Sequence, residues 1–159
     1  MPQIFISIGS NEQPKRHITK ALNLLADYCN HIQHSPWYLS QAVGAATGQF
    51  VNLVVRAETE LPAIELVATL KSIERRCGRL KTNQALDLDL LLYDDLILEE
   101  GAVRVPRSDI ERFAFVLKPL VDLAPQMIHP VVGESYEQIW RNSELDISSL
   151  TVVSPDELD

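Results

Sequence analysis

The sequence predicts an α+β fold in which helices pack on an antiparallel sheet. Two kinds of apolar periodicity alternate along its 159 residues. In some stretches apolar residues recur at every second position, as in strands, and in others they recur at the spacing of an amphipathic helix. A chain of this length can bury one core of ordinary size, so we expect residues 1–159 to form a single domain. From about residue 144 the sequence is polar and acidic, and we expect a tail whose last residues are loose.

The chain opens with a predicted strand and helix. Residues 4–8 are mainly apolar and end at a Gly-Ser-Asn turn, which favours a strand. Residues 15–28 carry apolar side chains at helical spacing, namely Ile18, Leu22 and Leu25. Residues 32–39 predict a second strand that Pro36 makes irregular or confines to an edge, because proline cannot donate to a ladder.

The middle of the chain predicts two more strands around a second helix. Residues 42–49 are rich in glycine and alanine and predict a loop, and residues 50–59 alternate as a third strand. Pro62 suits the first turn of a helix over residues 63–77. Residues 86–93 predict the fourth strand.

A further helical segment is predicted over residues 114–123. The order strand-helix-strand-strand-helix-strand before it is that of the ferredoxin-like βαββαβ motif, and we expect its helices to cover one face of the sheet.

The strongest chemical signal lies in the fourth predicted strand. Asp87 and Asp89 are separated by one leucine, so both carboxylates stand on the same face, roughly 6.5–7 Å apart along the strand. Mg²⁺ binds one or two protein carboxylates and completes its shell with water and phosphate oxygens. The alternative interpretation is a half-exposed edge strand with two solvated aspartates.

Two cations precede this pair. Gly78 ends the predicted helix, and Arg79 and Lys81 follow it on an extended segment. Metal on one side and cationic side chains on the other are expected around a polyphosphate. Simple neutralisation of the aspartates is the other interpretation.

The overall composition excludes several classes of protein. A net charge of −8 disfavours nucleic acid and anionic membranes as partners, and no apolar run approaches the roughly 20 residues that span a bilayer. We see no signal-peptide pattern and no feature that indicates a protein partner. Cys29 and Cys77 lack metal-ligand spacing, which favours buried thiols in a reducing cytoplasm.

Several ordered segments resemble the 6-hydroxymethyl-7,8-dihydropterin pyrophosphokinases of folate biosynthesis. The resemblance runs from about residue 4 to residue 129. The matching strings are Ile-Ser-Ile-Gly-Ser-Asn at 6–11, Ser-Pro-Trp-Tyr at 35–38, Gln-Phe-Val-Asn at 49–52, Ile-Glu at 73–74, Gly-Arg at 78–79, Leu-Asp-Leu-Asp-Leu-Leu at 86–91, Val-Pro at 105–106, Phe-Val-Leu-Lys-Pro-Leu at 115–120 and Ala-Pro at 124–125.

The resemblance implies a site for a pterin. Phe50 and Phe115 match the two rings that flank the heterocycle, and Asn52 matches the amide that reads its edge. Ser40 and Val43 fall near positions that complete the contacts to the ring. Flat polar heterocycles are suited to aromatic faces and to a side-chain amide, which offers both a donor and an acceptor.

The resemblance also implies the reaction, which is transfer of pyrophosphate from ATP to the pterin hydroxymethyl group with release of AMP. Asp87 and Asp89 would hold two Mg²⁺ on the triphosphate, and Arg79 and Lys81 would neutralise charge on the transferring phosphates. Glu74 would support the nucleotide site from the last turn of its helix.

The sequence departs from the family pattern near the phosphates. Residues 81–85 form a shorter loop than usual, without the Trp and Arg that ordinarily precede the aspartates. Arg107 stands where His is common and would contact the phosphate tail; Phe113 aligns with an arginine, and Arg112, also assigned to ATP, lies one residue earlier. These departures leave two alternatives open: a weakened or inactive relative that binds pterin or nucleotide as a sensor or partner protein, and an enzyme for another hydroxymethyl heterocycle. The Phe50 and Asn52 side chains argue against the second.

Overall fold

The computed structural model describes residues 1–41, 49–77 and 86–158. The strands are β1 (Gln3–Ser10), β2 (Cys29–His34), β3 (Trp37–Gln41), β4 (Gln49–Thr59), β5 (Asp87–Tyr93), β6 (Leu98–Glu100), β7 (Val103–Val105) and β8 (Thr151–Val153). The α-helices are α1 (Pro14–Leu25), α2 (Ala63–Arg76), α3 (Asp109–Arg112), α4 (Ala114–Leu123) and α5 (Tyr136–Asn142). The predicted loop over residues 42–49 lies outside the described residues, apart from Gln49, which begins β4.

The main sheet has the strand order β5-β1-β4-β3-β8, with β2 also paired to β4, and its listed neighbours run antiparallel. With α1 after β1 and α2 after β4, this order confirms the predicted ferredoxin-like α+β arrangement. The central strand pair places Gly9 of β1 opposite Asn52 of β4, and β1 also places Gly9 opposite Asp87 of β5. Side chains from three strands therefore meet at one end of the sheet.

The predicted second strand is divided into two at Pro36. Both parts pair with β4, β2 through residues such as His34 opposite Val55 and β3 through Tyr38 opposite Asn52. Ser35 fills the gap, because its N–H donates to the Val54 carbonyl at 2.9 Å and its hydroxyl accepts from the Val54 N–H at 3.0 Å. The proline thus produces the predicted irregularity without leaving the β4 backbone unpaired there.

Helices cover both faces of the sheet: the two helices of the predicted motif lie on one face, as expected, and α4 covers the other face. α1 and α2 pack on one face, where Ile4, Ile6 and Ile8 of β1 are buried. α4 packs on the other face, against Phe5 and other apolar side chains of β4 and β5. The physical reason is that β1 and β5 are apolar on both faces along part of their length, so each face needs a cover.

The C-terminal segment contributes a strand that the sequence did not predict. β8 pairs with β3, with Val153 opposite Trp37, and so extends the sheet. Three-residue strands such as β6, β7 and β8 are too short to show a periodicity. Within the described residues, no helix has the length and apolar character needed to cross a membrane.

Candidate active site

A cavity of about 220 Å³ lies between the main sheet and the N-terminal end of α4. It brings together residues from four strands and two helices. Its lining consists of Ser7, Gly9, Ser40, Phe50, Asn52, Asp87, Asp89, Asp109, Phe113, Phe115 and Val116. Both predicted metal ligands and four of the five predicted pterin residues are in this set.

The neutral wall of the cavity, as we call it, comprises Ser40, Phe50, Asn52, Phe113 and Phe115. The Asn52 amide nitrogen donates to the Ser40 hydroxyl at 3.0 Å, and both side chains are buried. An asparagine inside an apolar strand needs such a partner, because an unpaired buried amide is costly. The bond fixes the orientation of the amide before any ligand binds.

Gly9 leaves room for this amide. A Cβ atom at position 9 would lie 2.8 Å from the Asn52 side-chain oxygen, closer than such atoms approach each other. Only glycine can stand opposite Asn52 without displacing its side chain.

Two of the three aromatic rings of the neutral wall lie at the start of α4, and the third is Phe50 of β4. Phe113 and Phe115 stack with ring centroids 4.9 Å apart and planes inclined by 17°. Phe113 stands at the position that the resemblance aligns with an arginine, and the Arg112 guanidinium lies 5.1 Å from the centre of its ring. Arg112 is exposed and is not among the residues that line the cavity, so its assignment to ATP stays a prediction.

The acidic wall comprises Asp87, Asp89 and Asp109, with Arg107 among them. Asp87 and Asp89 stand opposite Gly9 and Ser7 of β1. The Arg107 guanidinium lies 3.6 Å from an Asp89 carboxylate oxygen and 3.2 Å from one of Asp109. Arg107 was expected to contact phosphates; in the structure it is paired with Asp89 beside the cavity.

The carboxyl group of Asp87 is the most perturbed on this wall. Burial raises its pKa to about 7, and the charges of Asp89 and Glu74 act in the same direction, while Lys71 opposes them. When neighbouring negative charges destabilise the charged form of a carboxyl group, a cation that binds there stabilises that form. The described residues hold no group of three or more His, Cys, Asp or Glu side chains arranged for a metal, so the protein would supply two carboxylates and other ligands would complete the shell.

Glu74 lies behind the acidic wall and not in the cavity lining. Its side chain is 1% exposed and accepts from the Leu88 N–H at 2.8 Å and from the Lys71 ammonium at 2.8 Å. The Lys71 ammonium also donates to the Leu88 carbonyl at 3.0 Å and lies 3.3 Å from Asp89. Burial works to lower the pKa of Lys71, but Glu74, Asp89 and Asp87 together hold it above its ordinary value.

Three predicted site residues, Val43, Arg79 and Lys81, lie outside the described residues. Conversely, the sequence reasoning missed Lys71 and Asp109. Lys71 precedes Glu74 by three residues, a spacing that places two side chains on one helix face and could have indicated the pair. Asp109 gave no comparable signal, because the four-residue helix that it begins is too short to show a periodicity.

Comparison with known proteins gives a family match over most of the chain. Residues 5–125 match the model of the family described as 7,8-dihydro-6-hydroxymethylpterin-pyrophosphokinase (HPPK). The chain is 31% identical over 137 residues to the 2-amino-4-hydroxy-6-hydroxymethyldihydropteridine pyrophosphokinase of Aquifex aeolicus, covering 82% of this chain and 86% of that protein. It is 33% identical over 136 residues to the Pseudomonas aeruginosa protein of the same name, covering 80% and 84%.

The fold is also similar to solved structures. A Plasmodium falciparum HPPK-DHPS structure with pterin and p-hydroxybenzoate matches with a TM-score of 0.74 at 12% identity, covering 88% of this chain and 41% of that chain. The chain therefore spans less than half the length of that protein. At this identity the likeness supports the fold alone.

Proposed function

The chain belongs to the 7,8-dihydro-6-hydroxymethylpterin-pyrophosphokinase family, and we propose that it performs this family's reaction at the cavity between β5 and α4. It is a diphosphokinase that transfers pyrophosphate from ATP to 6-hydroxymethyl-7,8-dihydropterin, in folate synthesis. The observation that carries the assignment is that one cavity joins an aromatic and amide wall to a pair of aspartates. The family relationship favours this enzyme over a binding protein without catalysis.

The neutral wall binds the pterin. The amide of Asn52, held by Ser40, reads the donor and acceptor edge of the heterocycle, and Phe50 and Phe115 offer aromatic surface to its rings. Val43 completes the set proposed from the sequence. A cavity of about 220 Å³ is small beside the 300–1,000 Å³ typical of larger ligands, so it suits one bicyclic ring and leaves the nucleotide to the acidic side.

The acidic wall binds Mg²⁺ with the triphosphate of ATP. Asp87 and Asp89 supply hard oxygen ligands. Burial, with the charges of Asp89 and Glu74, raises the pKa of Asp87, and a divalent ion would stabilise the charged form of this carboxylate. One or two ions held by Asp87 and Asp89 would supply positive charge to the phosphates. The donor set is chemically suitable, since two carboxylates leave positions for phosphate oxygens and water.

The remaining side chains position the phosphates of ATP and neutralise their charge. The hydroxymethyl oxygen of the pterin forms a bond to the β-phosphorus of ATP, and its hydroxyl proton is released to solvent. The bond from that phosphorus to the α–β bridging oxygen breaks, and AMP leaves with the bridging oxygen. Arg107 stands beside Asp89, where it can exchange a carboxylate for a phosphate oxygen. From the sequence, Arg79 and Lys81 neutralise the transferring group, Arg112 assists with ATP, and Glu74 supports the site from below.

We take residues 1–159 as one domain. The pairing of β8 with β3 supports this, because it joins the C-terminal segment to the main sheet. We also place the protein in the cytoplasm, as expected from the sequence; Cys29 and Cys77 are buried free thiols, which suits a reducing compartment.

Product analysis with ATP, Mg²⁺ and 6-hydroxymethyl-7,8-dihydropterin tests the assignment. We expect AMP and the pterin diphosphate in equal amounts, and no AMP when the pterin is omitted. Release of ADP, or AMP formation independent of the pterin, would overturn it. Binding of both ligands without turnover would favour the inactive relative.

A further inference from the structure

β5 forms an end of the main sheet, so one of its two edges has no partner strand among the described residues. Leu88 lies in β5 between the two aspartates of the acidic wall. Its N–H donates to the Glu74 carboxylate at 2.8 Å, and its carbonyl accepts from the Lys71 ammonium at 3.0 Å. Both backbone groups of this one residue are therefore bound by side chains of α2.

The two side chains act as a unit. Lys71 and Glu74 are three residues apart on α2 and form an ion pair at 2.8 Å. Together they offer one acceptor and one donor to the strand edge, which is what the backbone of a neighbouring strand offers in an antiparallel ladder. At Leu88, the Lys71–Glu74 pair therefore provides the two hydrogen bonds that a neighbouring strand would provide.

This contact bears directly on the aspartates. Side chains alternate along a strand, so the orientation of the Leu88 residue sets the directions in which the carboxylates of Asp87 and Asp89 leave the backbone. Lys71 adds a direct restraint, because its ammonium also lies 3.3 Å from Asp89. Backbone groups that are buried on an end strand need partners for stability in any case, so a positioning role must show itself in metal-dependent binding.

We propose that Lys71 and Glu74 are positioning residues that clamp the Leu88 backbone and thereby hold Asp87 and Asp89 at the spacing that Mg²⁺–ATP requires. The inference rests on the proposed function, because it takes these aspartates as the metal ligands. The pair would act through the strand, without touching the metal.

Calorimetric titration of the full chain with ATP at several Mg²⁺ concentrations tests the clamp. We expect Lys71→Met to weaken Mg²⁺-dependent ATP binding about 10–100-fold, as is usual when groups that orient metal ligands are removed. The pterin affinity should change by less than about twofold, because the neutral wall is untouched. Arg75→Met is the matched control: it removes one exposed cation from the same helix, and it should leave both affinities unchanged.

Amide hydrogen exchange at Leu88 separates positioning from charge neutralisation. In Lys71→Met and in Glu74→Ala we expect faster exchange at Leu88 than in the unmodified protein, whereas Glu74→Gln keeps an acceptor and should retain most of the protection. Weakened ATP binding with unchanged Leu88 exchange in both Lys71→Met and Glu74→Ala would overturn the clamp. If Lys71→Met does not fold, Glu74→Gln and Glu74→Ala give the same comparison.

Asp89→Ala distinguishes failure of the clamp from failure of the proposed function. If Asp89→Ala abolishes Mg²⁺-dependent binding and Lys71→Met leaves it unchanged, the clamp is wrong and the metal assignment stands. If neither variant alters the Mg²⁺ dependence, the metal assignment itself is wrong, and the clamp is overturned with it.

Discussion

On the neutral wall of the cavity the Asn52 amide donates to the Ser40 hydroxyl across neighbouring strands, whereas on the acidic wall Asp89 and Asp109 share one guanidinium beside Asp87. The first arrangement forms without a ligand, because neutral groups can pair and rings can stack. In the second arrangement, burial and the neighbouring carboxylates destabilise the charged form of Asp87 and raise its pKa. The difference indicates that the surface for the heterocycle is built in advance, and that the surface for the phosphates is completed by the cations that accompany them.

Removal of a metal ligand should give the largest difference between the effect on ATP binding and the effect on pterin binding. We expect Asp89→Ala to lower turnover by at least about 10²–10³-fold, because the charge on the transferring phosphates loses its main stabiliser. ATP binding should lose its Mg²⁺ dependence while pterin binding and the fold persist. Calorimetry with each ligand and circular dichroism check these outcomes; a parallel loss of pterin affinity would mean that the walls are not independent.

The converse change is Asn52→Ala. It removes the amide from the neutral wall and should weaken pterin binding about 10–100-fold, which corresponds to roughly 1–3 kcal/mol for an unmet polar group. ATP binding should change by less than about twofold. Equal losses for the two ligands, measured by titration, would show that Asn52 has a structural role only.

A methyl group at position 9 should have a smaller effect of the same kind. Gly9→Ala places a Cβ atom 2.8 Å from the Asn52 side-chain oxygen, so the amide must move. We expect roughly a tenfold loss of pterin affinity, since the shifted amide keeps part of its hydrogen bonding. The double variant with Gly9→Ala and Asn52→Ala is the control. If Gly9→Ala acts only by displacing the Asn52 amide, it should not lower the pterin affinity further once that amide is removed. A double variant that binds pterin much more weakly than Asn52→Ala would contradict this explanation.

The last prediction concerns the stability of the fold and not ligand binding, and it follows from the raised pKa of Asp87 on the acidic wall. The native pKa of Asp87, about 7, lies above its ordinary value of 3.8, so the native state binds more protons than the unfolded state between these pH values. Without metal, stability therefore falls as pH rises from about 4 to 7, and it stays lowered above that range. Asp87→Asn lacks this titration and should be more stable by about 1–3 kcal/mol near pH 8, with no gain near pH 4.

Thermal unfolding in chelator checks the prediction for Asp87, with a shift of about 2–4 °C for each kcal/mol. Asp95→Asn, at an exposed carboxylate, is the charge-matched control and should show no such pH dependence. A gain in stability that is the same at pH 4 and pH 8 would mean that ionisation of the Asp87 carboxyl group does not cause it.

The sequence predicted the framework and much of the site for identifiable reasons. The longer elements, which include β1, β4 and α2, show their periodicity in the sequence. The two aspartates are predicted to be neighbours on one strand face because one residue separates them. Most of the predicted pterin residues could be named only because ordered strings resemble a family. They are brought together in the structure by the registers between strands, which no local pattern contains.

The parts that escaped prediction depend on contacts distant in sequence. The sequence does not distinguish Lys71 from other helix lysines, because its contact with the Leu88 carbonyl joins residues 17 positions apart. Arg107 was assigned to phosphates, yet in the structure it is paired with Asp89, because side-chain pairing follows the packing of the segment after β7 against β5. Tertiary contacts of this kind have no signature in a single sequence.

The side chains that bind Leu88 have one more consequence, which concerns association between molecules. An end strand with free backbone groups can accept a strand from another chain and so begin aggregation. Along β5, Leu88 is engaged by α2, and the carbonyl of Leu91 accepts from the Arg107 N–H at 3.0 Å. The outer edge of β5 is thereby closed at two points to an intruding strand, and loss of the Lys71 or Glu74 side chain would reopen one of them.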